Sequence, residues 1–146
     1  MYRVALRLLG SDADAQDATQ ETFVRAWRGL GRFRGESAIS TWLFRIVTNR
    51  CLNVIVARRP VEGLDPDLPL VGGDPAEIAE QGERFAAVER SVVSLPPEQR
   101  AALVLRDFEG LSYEEVAAAL GVSVAAVKGR IHRARLSLLR ETAAWR

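Results

Sequence analysis

The chain has 146 residues and a formal net charge of +1, and its 48% of hydrophobic and 27% of charged residues suffice for one ordinary folded domain or two small ones. Its single cysteine, Cys51, excludes an intrachain disulfide and argues against a thiolate metal cluster, so we expect a small buried hydrophobe there and neither metal nor cofactor. No apolar run has transmembrane length and no hydrophobic signal segment begins the chain, so we expect a cytoplasmic protein without membrane insertion.

The near-neutral total hides an uneven distribution of charge along the chain. Residues 1–60 hold ten basic and five acidic side chains, residues 61–83 hold seven acidic and no basic ones, and residues 84–146 hold ten basic and seven acidic ones. A basic block is the electrostatic footprint of a polyanionic partner. The sequence therefore predicts two basic blocks flanking an acidic connector.

The first half of the chain predicts three helices. Tyr2–Leu9 is the end of a helix stopped by Gly10, and Ser11 or Asp12 can cap a second helix that runs to about Leu30. Ser37 can cap a third, long helix that continues to about Arg59. The apolar stripes predicted to face the core are Ala15, Ala18, Phe23, Ala26, Trp27 and Leu30 in the second helix, and Ile39, Leu43, Ile46, Val47, Leu52 and Ile55 in the third.

A loop and a helix face in this half have the chemistry of a single-stranded nucleic-acid site. The loop from Gly31 to Ser37 contains two arginines and Phe33, and the next helix carries Trp42, Arg45 and Asn49 at helical steps. Aromatic rings stack on bases, arginine contacts phosphate and asparagine recognises base edges. Core packing of Phe33 and Trp42 is the alternative, and for Trp42 it fits the pattern equally well.

Residues 61–83 form a connector rich in proline, glycine and acidic residues, without apolar periodicity. We expect it to be extended and flexible, and we place the domain boundary there, with a plain solvated tether as the simplest interpretation. The domain that follows, residues 84–146, predicts four helices. The first begins at Arg84, the second starts at Pro97 and ends at Gly110, and the last two lie between Leu111 and Leu139.

Those last two helices have the pattern of a helix-turn-helix. Ser112 and Glu115 have the spacing of a capping box, Gly121 can adopt positive φ at the helix end, Ser123 can cap the last helix, and the small Ala117 allows a close crossing. The last helix has an apolar face of Val127, Ile131, Ala134 and Leu138 and basic faces with Lys128, Arg130, His132, Arg133 and Arg135. An ordinary helical hairpin with a solvated basic face is the alternative, but the coincidence of these features favours DNA binding in the major groove.

Three blocks of sequence stand in order along the chain: DAQDATQETFVRAW, FRGESAISTWLFRIVTNRCLN and LPPEQRAALVLRDFEGLSYEEVAAALGVSVAAVKGRIHRAR. In this order and spacing they resemble bacterial RNA polymerase sigma factors of the sigma-70 superfamily, most closely the short extracytoplasmic-function (ECF) type. The resemblance implies an all-α fold of two small helical domains, a region 2 bundle at residues 1–60 and a four-helix region 4 with the helix-turn-helix at 84–146, joined by a flexible acidic linker. It also implies a promoter-specificity factor for core RNA polymerase rather than an enzyme.

The resemblance further implies a role for three groups of residues. The group expected to dock on the β′ clamp helices of polymerase is Asp14, Gln16, Asp17, Gln20, Glu21 and Phe23. The group expected at the −10 element is Phe33, Arg34, Gly35, Glu36, Ser37, Trp42, Arg45 and Asn49. The group expected at the −35 element is Arg106, Ser112, Ser123, Ala125, Ala126, Lys128, Gly129, Arg130, His132, Arg133 and Arg135. The implied partners are also the polymerase β flap and an anti-sigma factor.

The sequence departs from the family pattern in three places. Region 2 of the family usually begins about one helix earlier, so either the true start of the chain lies upstream of Met1 or the domain is short of packing surface at its N-terminus. This chain has Ala125-Ala126 where the family commonly has Gly-Thr. It has Gly129 after Lys128, where the family usually has Ser. These small residues suggest a close approach of the helix backbone to the bases, with alanine methyls on thymine methyls and with Lys128, Arg130 and Arg133 at phosphates.

Two other functions are compatible with parts of the sequence. A stand-alone helix-turn-helix regulator explains residues 84–146 but leaves the Phe33–Asn53 block without a role, and a truncated, inactive sigma fragment explains the short N-terminus. An enzyme is the weakest candidate, because the chain has one histidine, His132, in the basic helix and no glycine-rich phosphate loop after a strand.

Overall fold

The computed structural model describes residues 1–35, 37–58 and 86–143, and all of the regular structure in these residues is helical. The all-α prediction is therefore confirmed. The first half contains α1 (Tyr2–Leu9), α2 (Asp12–Gly29), a 3-10 turn (Leu30–Arg32) and α3 (Ile39–Ala57). The second half contains α4 (described over residues 86–94), α5 (Pro97–Leu103), a π-helical turn (Val104–Phe108), α6 (Tyr113–Leu120) and α7 (Val124–Ala143).

Of the stop at Gly10 and the two side-chain caps predicted in the first half, the stop and the cap of α2 are confirmed. Gly10 ends α1 at φ 68°, in the left-handed region that favours glycine, and the Ser11 side chain accepts a hydrogen bond from the Asp14 backbone N–H to cap α2. The cap predicted for α3 is wrong. Ala38 occupies the N-cap position, so Ser37 lies one residue too early and its hydroxyl donates to the Ala38 carbonyl instead, at 3.3 Å.

The buried face of α2 differs from the predicted stripe. Ala15, Ala18, Thr22 and Ala26 face the core, whereas Phe23, Trp27 and Leu30 are 56%, 80% and 49% exposed. Small residues on the buried face allow α1 and α3 to approach closely, and Thr22 is buried without loss because its hydroxyl donates to the Ala18 carbonyl at 2.7 Å. The prediction therefore placed three bulky side chains in the core that the structure leaves on the surface.

Helix α3 also buries a narrower face than predicted. Its buried residues are Thr41, Val47, Thr48 and Cys51, and Ile39 is 53% exposed. Leu43, Ile46, Leu52 and Ile55 are half-buried. Cys51 is confirmed as a buried side chain, and burial raises the pKa of its thiol to about 12.

The helix predicted from Pro97 to Gly110 contains a widened turn. Val104–Phe108 is π-helical, and the Glu109 backbone N–H donates to the Val104 carbonyl at 3.1 Å, five residues back. Gly110 then leaves the helix with φ 73°, as its type predicted. This exit aims the chain into the next helix, α6.

The two halves pack against each other around α1. Helix α1 contacts α2 and α3 on one side and α5 and the π-helical turn on the other, and α3 contacts α6. One continuous buried cluster includes Leu6 and Leu8 of α1 together with Leu103 and Leu105 of the second half. Phe33 and Lys128 are not packed against one another inside this body, since Lys128 is exposed and Phe33 pairs with Trp42. The predicted linker, residues 61–83, lies outside the described residues.

None of the helices in the described residues is both long enough and apolar enough to cross a bilayer.

Candidate nucleic-acid interface

The start of α6 is fixed by the predicted capping box. The Ser112 hydroxyl accepts from the Glu115 backbone N–H at 3.1 Å, and the Glu115 carboxylate accepts from the Ser112 backbone N–H at 3.1 Å. Two of the backbone donors left without partners at a helix start are thereby satisfied. At the other end Gly121 adopts φ 67°, so the chain can turn sharply without a Cβ clash.

The turn from Gly121 leads directly into α7. The Ser123 hydroxyl accepts from the Ala126 backbone N–H at 3.1 Å, which caps the second helix as predicted. Val127, Ile131 and Ala134 are at most 1% exposed against the first helix and the core, and Ala117 is 8% exposed. The two helices therefore form the helix-turn-helix that the spacing predicted.

The opposite faces of α7 are small and basic. Among the residues predicted to meet the −35 element, Ser123, Ala125, Lys128, His132, Arg133 and Arg135 are exposed, and Ala126, Gly129 and Arg130 are half-buried. A Cβ built on Gly129 would lie 3.3 Å from the Arg133 Nη1 atom, so the Arg133 side chain already covers this stretch of backbone. The N-terminal half of α7 thus presents short side chains flanked by cations.

Several of these cations are already engaged within the protein. Arg135 donates from Nε and Nη2 to the two carboxylate oxygens of Asp107, at 3.0 and 2.6 Å, and this hydrogen bonding raises the pKa of the Arg135 guanidinium. Arg106 donates to the Leu111 carbonyl at 2.8 Å. Arg130 lies 3.8 Å from the Glu98 carboxylate.

Tyr113 also contributes to this surface, although no sequence pattern pointed to it. The Arg106 guanidinium lies 4.5 Å, and the Lys128 ammonium 5.5 Å, from the centroid of its ring, within cation–π range. In the part of the chain that the structure describes, neither Lys128 nor Arg133 forms an ion pair. Lys128 and Arg133 are therefore the cations on α7 best placed to meet an external anion.

The second candidate surface surrounds the loop after α2. Phe33 and Trp42 stack with ring centroids 5.1 Å apart and an interplanar angle of 41°. Trp42 also covers Gly29, where a Cβ would lie 3.3 Å from the indole ring. Both rings are half-buried, so the structure brings these two predicted residues together as a partly exposed aromatic pair.

The other predicted residues of this loop and helix that the structure describes are exposed. Arg34, Gly35, Ser37, Arg45 and Asn49 are exposed, and Gly35 has φ 72°. Glu36, which was also predicted here, lies outside the described residues.

The third candidate surface is the outer face of α2. Gln16, Asp17, Gln20 and Phe23 are exposed, whereas Asp14 pairs with Arg58 and Glu21 pairs with Arg25 at 3.1 Å. Val24, Trp27 and Leu30 are exposed beside Phe23. The sequence analysis did not select Val24, and it placed Trp27 and Leu30 in the apolar stripe of the second helix.

Among the described residues there is no group of three or more His, Cys, Asp or Glu side chains that could hold a metal ion. The side chains of the three surfaces can instead form ion pairs, hydrogen bonds and stacking contacts. A helix-turn-helix with a basic outer face, together with a second surface of paired aromatics and arginines, places the chain in the class of helical helix-turn-helix proteins.

Comparison with known proteins gives the family. Residues 1–60 match the family model described as Sigma-70 region 2, and residues 85–138 match Sigma-70, region 4. The chain is 42% identical over 143 residues to the ECF RNA polymerase sigma factor SigE of Mycolicibacterium smegmatis, covering 94% of this chain and 55% of that protein. It is 40% identical over 142 residues to the RNA polymerase sigma-H factor of Pseudomonas aeruginosa, covering 89% and 74%.

A solved structure agrees with these matches. CnrH in complex with the cytosolic domain of CnrY superposes with a TM-score of 0.73 and 32% identity, covering 98% of this chain and 80% of that one. The chain belongs to the sigma-70 family of RNA polymerase sigma factors, in its extracytoplasmic-function group. This is a family of transcription initiation factors rather than of enzymes. The chain spans a little over half the length of the SigE protein that it matches.

Proposed function

We propose that this protein binds core RNA polymerase in the cytoplasm and directs it to promoters, without catalytic activity of its own. The helix-turn-helix would recognise the −35 element, and the loop after α2 together with α3 would recognise the −10 element. The observation that carries the proposal is the presence in one chain of a correctly capped helix-turn-helix with exposed Lys128 and Arg133 and of a separate aromatic–arginine surface.

At the −35 element the small residues of α7 would lie closest to the bases. Ala125, Ala126 and Gly129 would allow the helix backbone to enter the major groove, with alanine methyls against thymine methyls. Lys128 and Arg133 would contact phosphates, because no ion pair within the described chain competes for them. Arg135 would contribute less, since Asp107 already neutralises it.

Other residues of the −35 group would act near the ends of the helix-turn-helix. The hydroxyls of Ser112 and Ser123 accept cap bonds, which leaves each of them able to donate its proton to a phosphate. Arg106, Arg130 and His132 flank the same surface. These residues would orient the protein on the duplex rather than identify bases.

At the −10 element the Phe33–Trp42 pair would provide a stacking platform for an unpaired base. Stacking of a base on an aromatic side chain contributes about 1–3 kcal/mol and tolerates many sequences. Asn49 would supply hydrogen bonds to a base edge, and Arg34 and Arg45 would contact phosphates. Gly35, in its left-handed conformation, would allow close approach of the strand to the loop backbone.

Two surfaces would contact polymerase. On α2, the exposed apolar row of Phe23, Val24, Trp27 and Leu30, with Gln16, Asp17 and Gln20 nearby, fits docking on the β′ clamp helices. An apolar centre with a polar rim is the usual anatomy of a protein interface. On the second half, a groove of about 360 Å³ between α4 and α7 would receive the β flap; its lining includes Val88, Leu138 and Leu139.

An anti-sigma factor is the proposed regulator. The related CnrH is bound to the cytosolic domain of CnrY in its solved structure, and this chain shares its fold over 98% of its length.

The proposal is tested by transcription with purified core polymerase on a template library randomised at the −35 and −10 elements. Run-off transcripts from a defined subset of templates are the expected result. Duplex binding by the protein alone, with no transcript in the presence of polymerase, would instead identify a stand-alone helix-turn-helix regulator.

A further inference from the structure

The ring of Tyr113 lies where three elements of the second half meet. Tyr113 is the first residue of α6, and its ring is in contact with one cation from the π-helical turn and one from α7. The side chain is half-buried and packs against the hydrophobic core. The capping box of Ser112 and Glu115 fixes the backbone on either side of it. Core packing and the cap together therefore hold the ring in place.

The first cation on the ring is itself held by the protein. Arg106 lies in the π-helical turn, and its guanidinium is 4.5 Å from the centroid of the Tyr113 ring. Its Nη1 atom also donates to the Leu111 carbonyl at 2.8 Å, two residues before Tyr113. The ring and the carbonyl hold the guanidinium through separate contacts, so Arg106 is an ordered part of this surface.

The second cation on the ring has a different situation. Lys128, in the second turn of α7, is exposed, and its ammonium lies 5.5 Å from the ring centroid. Among the described residues, no carboxylate forms an ion pair with it. A lysine side chain is long and flexible and has much rotamer entropy to lose when it becomes ordered. The Tyr113 ring is therefore the contact that restricts where the Lys128 ammonium lies.

A ring and a carboxylate hold a cation with different consequences. Asp107 holds Arg135 through two hydrogen bonds, at 3.0 and 2.6 Å, and so offsets its charge. An aromatic ring attracts a cation through its quadrupole and carries no charge of its own. The ammonium of Lys128 keeps its full charge above the ring, and its three N–H donors remain able to meet an external acceptor.

We propose that Tyr113 is a positioning residue for DNA binding, whose ring holds the Lys128 ammonium at the point where a phosphate of the duplex would lie. The proposal rests on the proposed function, because it deepens the role given there to Lys128. A side chain that is already restricted loses less entropy on binding, so a pre-positioned ammonium binds phosphate more tightly than a mobile one. Phosphates carry no sequence information, so Tyr113 contributes to affinity for any duplex.

The first test compares two substitutions of Tyr113 in the full chain. Tyr113→Leu keeps an apolar side chain but removes the ring, and it should bind a mixed-sequence duplex about two- to fivefold more weakly, the range of an exposed cation–π contact. Tyr113→Phe keeps the ring and should bind like the parent protein. Fluorescence anisotropy at several salt concentrations measures both variants. The salt slope should stay unchanged in Tyr113→Leu, because the charge of Lys128 is still present.

The second test asks whether Tyr113 acts through Lys128. In a Lys128→Ala background, Tyr113→Leu should cost less affinity than it does in the parent protein, since one of the two cations on the ring is gone. Tyr2→Leu is the matched control, because Tyr2 is the other tyrosine of the chain and is also half-buried against the core. It should leave duplex affinity unchanged. Equal losses from Tyr113→Leu in the two backgrounds would overturn the proposal.

The third test reads the contact in the free protein. Protons that lie above an aromatic ring are shifted upfield in NMR spectra, so the methylene protons beside the Lys128 ammonium should be shifted upfield in the parent protein and in Tyr113→Phe, and not in Tyr113→Leu. This shift is measured without DNA. A failed transcription assay would therefore count against the proposed function and leave the ring contact established.

Circular dichroism must show native helicity in each variant. If Tyr113→Leu lowers helicity, phenylalanine carrying one, two or three ring fluorines at position 113 replaces it, because fluorine weakens the quadrupole and largely preserves the shape. Duplex affinity and the upfield shift should then be compared along the series, and affinity should fall with each fluorine. Parent-like affinity in folded Tyr113→Leu, or constant affinity along the fluorinated series, would overturn the proposal. An equal loss in Tyr113→Phe and Tyr113→Leu would assign the effect to the hydroxyl and would also overturn it.

Discussion

Ser112 and Glu115 exchange two hydrogen bonds at the start of α6, side chain to backbone in each direction, both at 3.1 Å. This pair fixes the first helix of the helix-turn-helix. The Glu115 carboxylate also lies beside Thr41 of α3. The residue that helps to start α6 therefore also contributes to the contact between the two halves.

Loss of the Ser112 hydroxyl should destabilise the protein. We expect Ser112→Ala to lower the free energy of unfolding by about 1 kcal/mol, since it leaves a backbone donor of the first turn without its cap. Urea denaturation followed by circular dichroism measures the change. Ser37→Ala is the control, because Ser37 does not cap α3, and it should stay within about 0.5 kcal/mol of the parent protein. Equal losses in the two variants would contradict the assignment of caps.

The contribution of the Glu115 carboxylate should depend on pH. The hydrogen bond from the Ser112 backbone N–H lowers the pKa of Glu115 from its ordinary value of 4.5. The folded-state pKa is therefore below the unfolded-state pKa, so this stabilisation is present above pH 4.5 and is lost as the pH falls through the lowered pKa.

The comparison that detects this is wild type against Glu115→Gln, which keeps an acceptor for the Ser112 N–H but cannot ionise. The stability difference between them, measured by urea denaturation between pH 3 and pH 7, should shrink as the pH falls below about 4.5. Glu114→Gln removes a charge from the same turn outside the capping box and should have the smaller effect at neutral pH. A stability difference between the two proteins that does not vary with pH would show that the charge of the Glu115 carboxylate does not stabilise the fold.

Lys128 should contribute affinity for DNA without sequence selection. Lys128→Ala is expected to weaken binding to all −35 duplexes to a similar extent and to reduce the slope of log K against log salt by about one. Fluorescence anisotropy at several salt concentrations measures both quantities. Arg135→Ala should change the slope less, because Asp107 holds that guanidinium. Relaxed discrimination at one base pair with an unchanged slope would mean that Lys128 contacts a base.

Gly129 should lower the stability of α7 while allowing its backbone to approach DNA closely. We expect Gly129→Ala to stabilise α7 by up to about 1 kcal/mol, because glycine in a helix interior is unfavourable and the added Cβ meets only the flexible end of Arg133. The same methyl should weaken binding to a −35 duplex by keeping the backbone from the bases. Ala118→Gly, on the exposed side of α6, is the mirror control and should destabilise by about 1 kcal/mol. Undiminished affinity in Gly129→Ala would place that residue away from the bases.

The exposed tryptophan of α2 should matter for polymerase rather than for folding. Trp27 is 80% exposed, so Trp27→Ala should change the free energy of unfolding by no more than about 0.5 kcal/mol. It should weaken binding to core polymerase about tenfold or more, the loss typical of a central aromatic in an interface. Trp42→Ala is the contrasting variant and should destabilise the fold, since Trp42 packs on Phe33 and Gly29. If Trp27→Ala destabilised the fold and Trp42→Ala weakened only polymerase binding, the roles assigned to the two residues would be wrong.

Local signals in the sequence predicted the helix-turn-helix closely because its determinants are local. The caps at Ser112 and Ser123 and the exit at Gly121 each involve hydrogen bonds or dihedral angles within a few residues. The same reasoning failed at Ser37, where the helix starts one residue beyond the reach of the hydroxyl. A side chain can cap a helix only from the N-cap position, so a serine one residue away does not form the cap.

Apolar periodicity was only partly right on α2, for a different reason. The predicted stripe contained Ala15, Ala18 and Ala26, which are buried, but also the bulkier Phe23 and Trp27, which are exposed. A helix with a second apolar surface gives two overlapping patterns, and only tertiary packing decides which one faces inward. The prediction for the −10 group was only partly sufficient. The residue types in the sequence pointed to Phe33 and Trp42 as candidates, but only the fold shows that their rings lie against each other.

The joining of the halves could not be predicted at all from periodicity. Arg7 and Glu89, which form a buried ion pair between the halves, are 82 residues apart, and each lies in a helix whose local pattern would be satisfied without the other. Nothing in the sequence distinguishes an arginine that will be buried from one that will be exposed to solvent. The structure alone shows that Arg7 and Arg100 are among the most enclosed charges described in the molecule.

The enclosure of Cys51 in α3 has a chemical consequence. Burial raises the pKa of its thiol to about 12, so little thiolate is present at pH 7, and the thiolate is the nucleophile that attacks peroxides and disulfides. The Cys51 thiol of the folded chain should accordingly react slowly with oxidants and with thiol reagents.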